Sequence, residues 1–256
     1  MKTLMHAAAA LAVGLAVILP VRADDDVKKI IAQAIKAHGG MEKLTQNKDK
    51  AVVQKGKMKL FMPIEAEGPV ETTMSDGKFK RDFNFTFMNV DITNSVVFDG
   101  KTMWVHTKAG DNNNAMTFDK KEDIDALKEA IYAEKMAGLA LLGDKDVEVS
   151  IIGEDKVGDT PVVGVRVSSK GHKDVSVYFD KKTHLVKKVI GRALDFESHM
   201  EVEQERIVDE YKEIDGMMRP VRITVLKDGK KQVELEITEM KFIDKPGDDA
   251  FAKPKE

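Results

Sequence analysis

The sequence predicts an α+β fold whose body is a single antiparallel sheet, and three observations carry that reading. From Val52 onward apolar and polar residues alternate with a period of two through most of the chain. Asp-Gly stands at four reversals, Asp76-Gly77, Asp99-Gly100, Asp215-Gly216 and Asp228-Gly229. That dipeptide suits tight hairpins between antiparallel strands, because both central positions of the turn take positive φ. Only a segment near the start and one near the middle show helical spacing.

The chain has 256 residues, 42% hydrophobic and 33% charged, enough to bury a real core. Its first segment reads as a cleaved secretory signal, Met1 to Ala23. Lys2 gives a short basic start, Ala7 to Leu19 is an apolar run too short to span a membrane, and Val21-Arg22-Ala23 offers small residues before a cut. Residues 24–256 follow as one domain, since no charge block, repeat or low-complexity tract divides them. Without Lys2 and Arg22, 39 basic side chains face 44 acidic ones, a net charge of −5 that implies no nucleic-acid partner. Cysteine is absent, which excludes disulfides, thiol chemistry, cysteine metal sites and a lipid-anchored amino-terminal cysteine. The expectation is a monomer, soluble in the periplasm or outside the cell and held together by its core alone.

The first helix is set by Asp24-Asp25-Asp26 as a cap and by apolar residues at Val27, Ile30, Ile31, Ala34 and Ile35. His38 lies at its end on the same stripe. It is expected to be a satisfied, partly buried side chain whose charged form the helix dipole favours. Met41 to Leu44 adds a further turn after Gly39-Gly40.

In the first strand Met58, Leu60 and Met62 share one face and Lys55, Lys57 and Lys59 the other. A second strand runs near Val70, Thr72 and Met74. In the third, Phe79, Arg81, Phe83, Phe85 and Phe87 alternate with Lys78, Lys80, Asp82, Asn84 and Thr86. The hairpin Val96 to Val105 carries Trp104, the only tryptophan, and a large aromatic beside a turn points to a sheet that curls around something. Gly110 to Asn114 is expected as a loop, and Asp119 to Leu142 as a helix ended by Gly143. Strands resume from Val147 to Phe242. In the last, Val233, Leu235 and Ile237 hand over to Met240 and Phe242, a change of phase that predicts a bulge near Glu239.

No strong catalytic signature occurs: there is no nucleophile elbow, zinc-protease helix or phosphate loop. The five histidines outside the signal segment, 38, 106, 172, 184 and 199, lie outside ligand spacing of one another, and Ser75, Ser95 and Ser168 have no base visible beside them. Glu201, Glu203 and Glu205 line one face of a strand. Three carboxylates there can attract a cation, but a solvated ladder paired with lysines such as Lys187 or Lys230 is the expected role.

Several stretches, in order, resemble exported proteins of the outer-membrane lipoprotein-sorting type, the LolA-like superfamily. They are Ala37-His38-Gly39-Gly40-Met41-Glu42-Lys43-Leu44, Val97-Phe98-Asp99-Gly100-Lys101-Thr102-Met103-Trp104, Val177-Tyr178-Phe179-Asp180-Lys181-Lys182-Thr183, Tyr211 to Pro220, and Asp248 to Pro254. The resemblance implies a strongly curved antiparallel sheet, an incomplete barrel of about eleven strands whose concave side is covered by an N-terminal and a central helix and takes acyl chains. In the carrier itself an early-strand arginine holds the lid. The first two strands here carry only lysines, so that role is assigned to no residue, Arg81 included.

The resemblance gives the Met and Phe faces a task, since thioethers and aromatics suit apolar ligands of irregular shape. The expected lining is Met58, Leu60, Met62, Met74, Phe83, Phe85, Phe87, Trp104, Tyr132, Met136 and Leu139, with movement of the Glu122 to Leu142 helix gating access. The expected function is a binding protein or carrier for an acyl chain, lipoprotein or other amphiphile, without catalysis, cofactor or metal. An envelope sensor docking a membrane protein in the same groove is the alternative, and a hydrolase or metal-dependent enzyme the second.

Overall fold

A computed structural model describes residues 21–61, 64–142, 144–195 and 200–254. Most of the expected signal segment lies outside these residues, as do Met62, Gly143 and His199. Helix α1 (Val21–Ala37) starts ahead of Asp24, so the aspartates fall in its first turns and not before them. Negative charge still suits that end of a helix. Val27, Ile31 and Ala34 are buried, as the spacing requires. Helix α2 (Met41–Gln46) comes after the Gly39-Gly40 break.

Six strands come next: β1 (Ala51–Leu60), β2 (Ala66–Ser75), β3 (Lys78–Phe87), β4 (Val90–Phe98), β5 (Met103–Ala109) and β6 (Asn112–Phe118). Helix α3 (Lys121–Ala137) leads to seven more: β7 (Val147–Val157), β8 (Thr160–Ser169), β9 (Val175–Asp180), β10 (Val186–Asp195), β11 (Met200–Ile214), β12 (Met217–Lys227) and β13 (Lys230–Ile243). All join one antiparallel sheet, ordered β6-β5-β4-β3-β2-β1-β13-β12-β11-β10-β9-β8-β7. Two meanders thus run outward from a seam where the first strand pairs with the last. The sheet has thirteen strands, where about eleven were expected. One unexpected strand is β6: its polar Asn112-Asn113-Asn114 shows no alternation, yet it pairs with β5 across a turn at Gly110.

Three of the four Asp-Gly pairs have positive φ at both residues, Asp76-Gly77, Asp215-Gly216 and Asp228-Gly229, as primed hairpin turns require. Asp99-Gly100 works differently. The Asp99 carboxylate accepts from the backbone N–H of Lys101 and of Thr102, both at 2.8 Å, and closes a wider loop. The bulge falls one residue from its expected place. Lys55 faces Glu239 and Gly56 faces Ile237, leaving Thr238 as the extra residue.

The sheet is curved, and α3 measures the curvature. Ile124 and Leu127 pack with Phe98 and Met103 of β4 and β5, while Tyr132 and Met136 pack with Val177 and Val189 of β9 and β10. Eight strand spacings separate β5 from β10, about 38 Å if the sheet were flat. Ile124 and Met136 lie only about 18 Å apart along a helix. The sheet must therefore curl so that α3 lies across it as a chord, with α1 packed alongside on the same inner face.

Candidate functional site

Strand register assigns each side chain to the inner, helix-bearing face or to the outer one. Met58, Leu60, Val70, Met74, Phe83, Phe85 and Phe87 all fall on the inner face, as alternation requires. Four expected lining residues come together there. Met58 and Phe83 are buried in one cluster with Ala66 and Val70, and Leu60, Phe85, Val233 and Leu235 pack partly exposed against it. The rings of Phe83 and Phe85 stack at 4.9 Å. Apart from Ile64, every member of this cluster belongs to β1, β2, β3 or β13, and no helix residue is among them. Met74 and Phe87 extend the tract toward its two ends, pairing with Phe79 and Val90 respectively.

The other expected lining residues lie elsewhere. Trp104 pairs with Val97 and Thr117 on the outer face, and it is Met103 and Val105 that turn inward toward α3. Tyr132, Met136 and Leu139 are buried in the main core with Val27, Ile31, Val177 and Val189, so they are packed against protein and not set on an open surface. The helix ends at Ala137, earlier than expected, because Gly138 caps it and Leu139 reverses the chain at φ +66°.

Packing also fixes α3 in place. Lifting Ile124, Leu127 and Met136 out of the core would cost roughly 5–9 kcal/mol, comparable with the whole stability of a domain. Polar ties add to this: Glu129 accepts from the Lys173 backbone N–H at 2.9 Å, and Glu134 pairs with Arg206 of β11. Beneath the helix, at β10 and β11, about 20 Å³ is free, room for about one water. These values argue against α3 as a swinging gate.

The inner face also carries polar groups. Arg81 stands between Phe79 and Phe83 on β3, and its Nε donates to Thr72 Oγ1 at 3.2 Å. Water reaches its side chain inside the curve, while desolvation by the surrounding protein lowers its guanidinium pKa. Burial lowers that of Arg206 to about 10, with the Arg81 charge adding to the effect and Tyr211 opposing it. At about 10 Arg206 stays charged at neutral pH, and a guanidinium such as that of Arg81 is a strong enough base to be charged there as well. Burial raises the Tyr211 phenol, which donates to the Val186 carbonyl at 2.7 Å. Arg219 lies 5.0 Å from the Phe242 ring. Arg81 was legible from its alternation with the phenylalanines, whereas Arg206 reaches the same space only through curvature.

The outer face carries charge pairs around a smaller apolar cluster of Val157, Val162 and Tyr178. Glu201 pairs with Lys173 and Arg192, and Glu205 lies 3.5 Å from Lys188, which is the structural role expected for this ladder with different partners. A polar groove of about 500 Å³ on this side is lined by Lys55, Glu71, Asp82, Asn84 and Thr93. Among the described residues no three His, Asp or Glu side chains converge as a metal site, and no helix is long and apolar enough to cross a membrane.

No family model and no curated protein matches the sequence. Among solved structures the chain is similar to a DUF1329 family protein from Desulfovibrio piger, with 12% identity over 88% of this chain and 97% of that one and a TM-score of 0.51. A putative outer membrane lipoprotein-sorting protein domain from Vibrio parahaemolyticus matches at 10% identity over 87% and 94% of the two chains, TM-score 0.45. A LolA superfamily protein from Nitrosomonas europaea matches at 14% identity over 88% and 97%, TM-score 0.45. At such identities the likeness is one of architecture, and the chain shares the fold of the Desulfovibrio piger protein.

Proposed function

We propose that the protein is an exported binding protein or carrier for an amphiphile, that it holds an acyl chain along the inner face of β13, β1, β2 and β3, and that it performs no chemistry on it. The observation that carries this reading is the apolar cluster around Met58, Val70, Phe83 and Phe85. It lies on the concave side, is built from strands with no helix residue in it, and presents Leu60, Phe85, Val233 and Leu235 partly exposed. Covering such a surface with hydrocarbon contributes roughly 25 cal/mol per Å² of apolar area removed from water. The sequence resemblance to lipoprotein-sorting proteins and the apolar signal-like segment support export.

The test is native mass spectrometry, with extraction and identification of lipid, on protein expressed with its leader in an exporting host. Co-purified or readily acquired lipid at one molecule per chain is expected. Protein that neither carries nor takes up lipid overturns the reading. The apolar cluster is only partly covered, which also suits an extended segment of a membrane protein. That second reading, an envelope sensor, predicts a lipid-free protein.

A further inference from the structure

Across β1 to β5, Arg81 is the one charged side chain that register places on the inner face among the described residues. The rest of that wall is apolar or uncharged: Gln54, Thr72, Asn94 and Thr107 are its other polar members. Among the described residues no carboxylate pairs with Arg81, and its one hydrogen bond there, from Nε to Thr72, leaves the two terminal nitrogens of the guanidinium uncommitted. Arg206 faces it from β11, close enough for the Arg81 charge to act on it, and is itself held by Glu134. A water-exposed guanidinium beside an apolar tract, with its fork free, matches the two oxygens of a carboxylate or phosphate.

The next inward-facing residues of β3 complete the pattern. Phe83, Phe85 and Phe87 lie on the same face as Arg81, and Phe87 is about 20 Å from it at strand rise, the length of a long acyl tail. Head and tail elements thus stand in line on one strand. Resting on the function proposed above, we propose that Arg81 is an anion subsite that fixes the charged head of an acidic amphiphile, a carboxylate or phosphate, while the tail runs along the phenylalanines.

The experiment compares a fluorescent fatty acid with its methyl ester, titrated into the mature protein at neutral pH. The carboxylate is expected to bind roughly tenfold or more tightly than the ester, as one charge-assisted bond allows. Arg81→Gln should bring that ratio close to one, Arg81→Lys should retain part of it, and Lys182→Gln, which removes the same charge from an exposed turn, should keep it whole. An equal affinity for acid and ester in the wild type, or a ratio unaltered in Arg81→Gln, overturns the subsite while leaving the carrier reading intact. Failure of both probes to bind overturns both. Displacement of the probe by inorganic phosphate alone would assign Arg81 to a free anion and overturn the head-group assignment.

Discussion

The imidazole of His38 sits against the last turn of α1, where its Nδ1 is 2.8 Å from the Ala34 carbonyl. A carbonyl can only accept, so Nδ1 carries the proton, and the ring meets Tyr211 edge-on at 5.6 Å. Helical spacing anticipates the buried position and the satisfied partner but misjudges the charge. Burial lowers the pKa below 6.5; the hydrogen bond to Ala34 opposes the shift and the nearby Arg219 adds to it. The charged form is therefore favoured by the unfolded chain, which binds a proton more readily. Stability from His38 is whole above pH 6.5 and falls as pH drops below it toward the depressed folded value. Urea midpoints at about pH 7.5 and about pH 5.5 should differ more in the wild type than in His38→Gln. Equal pH dependence in the two proteins would show that His38 does not titrate on unfolding.

Strands with clean alternation were readable because each has one apolar face and one polar face toward water, as in β1 and β3. Two elements resisted for physical reasons. β6 lies at the sheet edge with most of its side chains exposed, so nothing imposes a pattern on Asn112 to Asn114. In α3 the apolar run continues past the helix, since Leu139 and Leu142 are buried by the turn that succeeds it, and composition alone cannot separate helix from buried turn. The bulge was visible because a phase change in β13 leaves no other way to keep Ile237 and Phe242 on one face. It also dictates a residue in the neighbouring strand. A Cβ on Gly56 would run into the Glu236 carbonyl of β13, where the register shifts. Gly56→Ala should therefore cost about 1–3 kcal/mol, read as a lower denaturant midpoint, with the slope of the transition preserved. A midpoint within error of the wild type would mean that β1 and β13 separate there at little cost.

Which face of the sheet binds is a property of the curve, and no local pattern reveals it. Alternation placed Trp104 opposite Met103 and Val105 but left open which set points inward. The answer depends on α3, which arrives from the edge strand β6 and packs Ile124 and Leu127 onto Met103. With that contact fixed, register carries the assignment through β4, β3, β2 and β1 without ambiguity, so Phe85 is inside and Trp104 outside. The two residues therefore separate in a binding measurement. Phe85 is partly exposed at the rim of the apolar cluster, and Phe85→Ala removes ligand-facing area without emptying the centre held by Met58 and Phe83. Loss of roughly 1–2 kcal/mol of contact should weaken a fluorescent fatty acid by about fivefold to thirtyfold. Trp104→Phe, on the far side of the sheet, should leave that affinity within twofold of the wild type, about 0.4 kcal/mol. Weakening by Trp104→Phe with indifference to Phe85→Ala would place the ligand on the outer face and reverse the assignment of the sheet.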